Sequence, residues 1–294
     1  QSRVAKLLAT FTKDQEAFAQ LLTGYCRSHR TLSRVFGKPD DYTELLLPDD
    51  MLQEGGFLHL LNTAEALTDE EFQKVELIGW LYQFYISEKK DEVFDSFGKG
   101  KKAEAKDIPA ATQIFTPNWI VKYMVENTAG KVWLDKHPNS PLKGEMKYLV
   151  ENESDGTREP IIKDVEELTL IDPACGSGHI LVEGFDLLYK MHMERYYSPE
   201  DAVDSILKHN LFGLDIDDRA AQLATFAVLL KAAQCDRNVW SRDVLPNVHS
   251  MPEKRPFGLQ EVKDFLGKDG VKHATELDLC LMSMQDAKNR GSVM

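Results

Sequence analysis

The sequence predicts an all-α N-terminal region followed by an α/β domain built on a parallel sheet. Three observations carry this. Residues 1 to about 106 show apolar residues at helical spacing and no catalytic signature. From residue 107 onward, apolar runs of strand length alternate with helix signals. At Asp172–Gly178 one such run passes through a glycine-bearing turn into a helix.

In the first region Leu7, Leu8, Phe11, Phe18, Leu21, Leu22 and Tyr25 recur at helical intervals. Thr68-Asp69-Glu70-Glu71 reads as a capping box, with Thr68 as N-cap. The run behind it, from Val75 to Tyr85, carries Trp80, Tyr82, Phe84 and Tyr85. It predicts a helix apolar on most of its circumference, buried between others, with its aromatics in the core. Phe97-Gly98-Lys99-Gly100-Lys101-Lys102 reads as a flexible basic connector. The boundary between a helical domain, 1–106, and a second domain, 107–294, is drawn there. Lys99, Lys101, Lys102 and Lys106 form a basic cluster, either a solvated loop or a phosphate contact.

In the second region Leu168-Thr169-Leu170-Ile171 predicts a buried strand. A helix from Gly178 to about Arg195 follows, with Ile180, Leu181, Phe185, Leu188 and Met191 on one face. Ser198 and Pro199 have the chemistry of an N-cap and a first helical residue. Leu211–Asp215 is a second strand, and a helix apolar nearly all round runs from Asp217 to about Gln234. Strand, helix, strand, helix gives parallel strands with helices on their faces. Before the first strand, Asp155-Gly156 in Glu153–Gly156 suggests a small inserted hairpin flanked by Lys147–Val150 and Pro160–Ile162.

Composition narrows the classes. An apolar fraction of 43% and a charged fraction of 28% suit a globular chain that can bury a core. No apolar run approaches the ~20 residues that span a bilayer. Gln1–Lys6 lacks the apolar core of a signal peptide and an initiator Met, so residue 1 is not expected to be the native start. Cys26, Cys175, Cys235 and Cys280 form no C-x-x-C pair, which argues against zinc and disulfides and suits a reducing cytoplasm. The net charge of −13 argues, on balance alone, against a nucleic-acid surface.

Three segments carry chemistry. In Ile171-Asp172-Pro173-Ala174-Cys175-Gly176-Ser177-Gly178-His179 a strand ends in an acid and a glycine turn opens a helix. Glycines admit a ligand close to backbone, and the helix start offers unpaired N–H groups to an anionic end. Leu181 stands where a dinucleotide fingerprint needs its third glycine. An acid ahead of the glycines suits a ligand with a cationic amine beside a carboxylate, as in the methionine end of S-adenosylmethionine (SAM). In Phe212-Gly213-Leu214-Asp215-Ile216-Asp217, Asp215 is placed to accept ribose hydroxyls and Asp217 to cap the next helix. In Ile114-Phe115-Thr116-Pro117-Asn118-Trp119, Thr116 is expected as N-cap and Pro117 as first helical residue.

Together these segments resemble the γ-class DNA adenine-N6 methyltransferases. Within that class the chain is most similar in wording to the PglX/BrxX methyltransferases of BREX phage-defence systems, over about Asp107 to Ala233. The resemblance implies a Rossmann-like SAM-dependent methyltransferase sheet, incomplete in this chain. It implies SAM as cofactor and DNA as partner, in the bacterial cytoplasm, with no membrane. Carried over by position, Phe115, Thr116 and Pro117 match the segment that closes over the methionine part. Asp172, Ala174, Gly176 and Gly178 match the glycine loop, with Asp172 near the amine and Cys175 as a small loop residue. Asp215 matches the ribose acid, Ile216 lies against the adenine ring, and Asp286 reads the adenine amine.

One departure stands out. The family grips its flipped target base with N-P-P-Y or a close variant, and no two prolines here are adjacent. The reading is therefore of an N-terminal fragment that carries no catalytic motif and is expected to be inactive alone. A cut sheet leaves an edge and an apolar face, so dimerisation or capture by another defence-system protein is expected. Two rival readings are an RNA or protein methyltransferase, and a catalytically silent SAM-binding interaction module.

Overall fold

The computed structural model describes residues 14–36, 47–99, 107–150, 161–251 and 258–283. It consists of a mostly helical N-terminal region followed by a small parallel sheet packed with helices. That is an incomplete Rossmann-like arrangement preceded by α-structure.

The N-terminal region holds α1 (Asp14–Ser28), α2 (Arg30–Val35), α3 (Phe57–Thr63), α4 (Asp69–Phe72) and α5 (Glu76–Gly98). Leu7, Leu8 and Phe11 lie outside the described residues; Phe18 to Tyr25 fall on α1. Thr68 caps α4, its hydroxyl accepting from the Glu71 N–H at 3.4 Å. The helix then stops after one turn, and the Gln73 carbonyl accepts from the Gln234 side chain at 2.9 Å. A separate helix, α5, begins at Glu76.

Two expectations fail on α5. It runs through Phe97 and Gly98, so those residues continue a helix and do not start a connector. Nor is it buried all round. Tyr82, Ile86 and Val93 form one buried stripe against Ala110 and Ala220. Trp80, Phe84 and Tyr85 are 45%, 67% and 69% exposed. The apolar girth is real, but neighbouring elements cover only one side of it among the described residues. Lys99 is exposed, and the other three lysines of its cluster lie outside the described residues.

The second region opens with α6 (Ile108–Thr112), α7 (Asn118–Val125), a π turn (Glu126–Gly130) and α8 (Lys131–Lys136). Then follow β1 (Leu170–Asp172), α9 (His179–Glu194), α10 (Pro199–Ser205), β2 (Leu211–Asp215), α11 (Asp218–Cys235), β3 (Asn247–Ser250), α12 (Leu259–Gly270) and α13 (Ala274–Ser283). The strands lie in the order β1-β2-β3, all parallel, with Leu170 opposite Leu211 and Asp215 opposite Ser250. The first strand is shorter than expected. It starts at Leu170, and Ile171 is 61% exposed, so the run is buried on alternate residues only. The third strand has no apolar run to announce it; only Val248 of Asn247-Val248-His249-Ser250 is buried.

Helix α9 buries Leu181, Phe185, Leu188 and Met191 completely. Each such side chain contributes about 2 kcal/mol on leaving water. Small residues set the distances. A Cβ on Gly213 would lie 2.7 Å from Leu181 Cδ1, so the bare strand lets α9 settle onto β2. Ser198 caps α10 and Asp217 caps α11, as read from the sequence.

The inserted hairpin falls on residues 151–160, outside the described residues. Its flanks, Lys147–Val150 and Ile161–Ile162, form no strand. Asn127 holds the first flank instead, donating to the Tyr148 carbonyl at 2.8 Å and accepting from the Val150 N–H at 2.9 Å.

The helical region packs directly on the α/β region. Arg30 and Arg34 both pair with Asp243. The Thr31 hydroxyl donates to the Trp240 carbonyl at 3.0 Å, and Gln222 donates to the Val35 carbonyl at 2.7 Å.

Candidate cofactor site

Two adjacent parallel strands end in buried carboxylates, Asp172 on β1 and Asp215 on β2. Asp172 Oδ1 accepts from the Ala174 N–H at 3.1 Å. Among the described residues no cation pairs with it. Burial pushes its carboxyl above the usual aspartate range, the Ala174 hydrogen bond pulls it back, and the charge of Asp215 pushes it up again. A cationic group brought beside Asp172 would relieve that strain.

The turn after β1 is docked on β2, the Cys175 N–H donating to the Leu214 carbonyl at 2.9 Å. Gly176 and Gly178 hold φ values of +52° and +91°, the left-handed region that glycine enters without a Cβ clash. Space differs at the two. A Cβ on Gly178 would lie 3.0 Å from Ala224 Cα, whereas one on Gly176 would meet only Gln113 Nε2, at 3.6 Å. Gly178 is the N-cap of α9 and supplies no side chain, so no side-chain hydrogen bond caps the first N–H groups of this 16-residue helix. The Cys175 thiol is pushed up to about 12, first by burial and then by Asp215 and Asp172. It is protonated and unreactive at neutral pH, as befits a small packing residue of the turn.

Asp215 ties this turn to the next loop. Its Oδ2 accepts from the Gly176 N–H and its Oδ1 from the Asp217 N–H, each at 2.8 Å. Each oxygen retains a second lone pair for a ligand hydroxyl. Ile216 sits between the two acids, half-buried. Asp217 caps α11, and its other oxygen accepts from the Tyr82 hydroxyl at 2.6 Å.

Phe115 reaches the same end of α9. Its ring lies 3.9 Å from that of Trp80 and 4.1 Å, edge-on, from that of His179. The expected cap shifts by one residue. Pro117, at φ −54° and ψ 141°, is itself the N-cap, and α7 begins at Asn118. Its extended ψ keeps Pro117 out of the helix, so Thr116 lies one residue too early to cap. Asp286 lies outside the described residues. Phe115, Asp172, Ala174, Cys175, Gly176, Gly178 and Asp215 thus gather around the C-terminal ends of β1 and β2 and the start of α9. The sequence reading missed Gly79, Trp80, Tyr82 and His179; a lone glycine inside an aromatic helix was the available signal.

A cleft of about 380 Å³ opens elsewhere, between α7 and a flank of α9, with Lys122, Glu126, Glu183 and Lys190 in its walls. Its charges are partly spent on one another, as in the Lys190–Glu145 pair at 2.6 Å.

Residues 150–254 match the family model described as the DNA-methyltransferase domain of MmeI. Over 265 residues the chain is 42% identical to the adenine-specific methyltransferase BrxX of Escherichia coli O9:H4 (strain HS). That match covers 87% of this chain and 21% of the relative. Over 258 residues it is 38% identical to the adenine-specific methyltransferase PglX of Lacticaseibacillus casei (strain Zhang), covering 81% and 20%. The chain is a homologue of BrxX and PglX. It spans only about a fifth of either relative's length.

This homology implies SAM as cofactor. The residues present fit such a molecule. Among the described residues Asp172 is a buried carboxylate without a cation, a Cβ on Gly176 would meet only the end of Gln113, no side chain caps the start of α9, and Asp215 keeps acceptor capacity.

Proposed function

We propose that this chain holds the methyl donor of a SAM-dependent DNA adenine-N6 methyltransferase, in a phage-defence or restriction-modification setting. The observation that carries the reading is the meeting of Asp172, the Gly176–Gly178 turn and Asp215 at the ends of two neighbouring parallel strands. When bound, SAM supplies a methyl group on a sulfonium, ready for displacement by an amine. The chain's own residues hold and orient it. Asp172 faces the amine, and the uncapped N–H groups of α9 face the carboxylate. Asp215 accepts from ribose hydroxyls, and Ile216 lies against the adenine. Phe115, Thr116 and Pro117 close over the methionine end, and Asp286 reads the adenine amine.

DNA is the proposed substrate, from the homology with adenine-specific methyltransferases. We assign residues 1–106 to a helical domain and 107–294 to the SAM-binding domain. Other defence-system proteins and a second copy of this chain are the proposed partners, and the bacterial cytoplasm the proposed location. No described helix is long and apolar enough to cross a membrane.

Calorimetry tests the pocket. The parent chain should bind SAM, and Asp172→Ala and Asp215→Ala should each weaken it strongly. Two mutants that bind like the parent would remove this reading. A catalytically silent SAM-binding module is the rival reading. Incorporation of labelled methyl into DNA by this chain alone would dismiss it.

A further inference from the structure

The N-terminal helix α5 touches the site at three consecutive points. Gly79 lies against the glycine turn. A Cβ there would stand 2.2 Å from His179 Nε2 and 2.9 Å from Ser177 Oγ. Trp80 lies against Phe115, ring centroids 3.9 Å apart, and Phe115 in turn meets His179 at 4.1 Å. Tyr82 donates to Asp217, whose N–H donates to Asp215, which accepts from Gly176.

These contacts are more than general packing. Trp80 remains 45% exposed, yet its ring lies directly against that of Phe115. The Tyr82 hydroxyl spans 135 residues of sequence to reach the acidic loop. Among the described residues His179 Nε2 is buried without a hydrogen-bond partner, and burial keeps the imidazole below its usual range and therefore neutral. A buried polar atom left unpaired calls for a reason beyond stability, and here the reason is the close seating of helix on turn.

We propose that the turn of α5 from Gly79 to Tyr82 is a positioning element of the donor site, acting on both of its halves. Trp80 and His179 hold Phe115 over the start of α9, where the methionine end of the donor lies. Tyr82 holds the Asp215–Asp217 loop, where its ribose lies. The helical region is then a wall of the cofactor site and not an appendage. This rests on the SAM reading above.

The experiment measures binding of SAM, and of 5′-methylthioadenosine by competition, to the 294-residue chain. The second ligand keeps the nucleoside and lacks the amino-acid end. Trp80→Ala should weaken SAM about tenfold and leave 5′-methylthioadenosine unchanged, and Trp80→Phe should restore SAM binding. Tyr82→Phe should weaken both ligands about tenfold. Thermal unfolding of each variant is measured alongside. Trp80→Ala binding both ligands like the parent would overturn the proposal. So would an equal loss for both ligands in Trp80→Ala accompanied by a lowered melting temperature, which marks a purely structural role of that ring. A parent chain that does not bind SAM would instead sink the donor-site reading itself.

Discussion

The carboxylate of Asp215 accepts a hydrogen bond from the backbone N–H of Gly176, at 2.8 Å, and so closes the end of β2 onto the turn that follows β1. A residue expected to meet only a ligand is also a structural clamp. Both oxygens are engaged, since the Asp217 N–H takes the other.

Replacing Asp215 therefore tests two roles at once. Asp215→Ala leaves two N–H groups without their acceptor and should cost about 3 kcal/mol of stability, read by urea unfolding. Asp215→Asn keeps one acceptor oxygen and should cost less. Both should weaken SAM binding.

Asp172 trades stability for binding. Its carboxyl is raised in the folded chain, so ionisation there is disfavoured, and stability without ligand improves as pH falls through that raised value. Binding of a cationic amine runs the other way, because it needs the ionised form. SAM affinity should fall as the solution is acidified through the same range, above that of an ordinary aspartate. Asp172→Asn should flatten this pH profile, weaken SAM more than tenfold at neutral pH, and raise the melting temperature of the unliganded chain.

The two glycines of the turn should separate fold from function. Gly178→Ala combines a positive φ with a Cβ 3.0 Å from Ala224 Cα. It should cost about 3 kcal/mol, seen in thermal unfolding. Gly176→Ala brings its methyl only into van der Waals contact with Gln113 Nε2, at 3.6 Å, and should cost about 1 kcal/mol, from the backbone alone. It should nonetheless abolish SAM binding in calorimetry, because the methyl occupies the approach to the turn.

Acid should weaken the fold through His192. This side chain is fully buried. Its Nδ1 donates to the Leu188 carbonyl at 2.8 Å, and its Nε2 accepts from the Ser205 hydroxyl at 3.1 Å. Those roles are the ones the neutral ring takes, and burial favours that form by lowering the pKa below the ordinary 6.5. The unfolded chain binds the proton first, so stability should fall as pH drops below about 6.5. His192→Gln should lower stability at neutral pH and lose less of it on acidification, measured as melting temperature between pH 7 and pH 5.

The elements most legible in the sequence were those with local chemistry. Ser198 and Asp217 cap their helices because short oxygen side chains bind nearby N–H groups in any context. Leu211–Asp215 shows itself as a strand by an apolar run that ends in an acid. Less legible was anything decided by a neighbour. Strand β3 owes its existence to pairing with β2, as Asn247-Val248-His249-Ser250 has no pattern of its own. Whether Trp80, Phe84 and Tyr85 are covered depends on what lies beside α5. At the candidate site the acids and glycines were visible as a motif. The contacts of Tyr82 and His179 were not, because their partners lie far away in the chain.

The fit of His179 against Gly79 bears on how such proteins diversify. Positions one hundred residues apart in the numbering share one small volume. A side chain at position 79 needs the His179 ring to give way, so a larger residue there should be tolerated only with a compensating change at position 179. An exchange of helical segments between distant relatives would break the match unless the start of α9 travelled with it. A chimera that keeps both positions from one parent should therefore fold better than one that divides them.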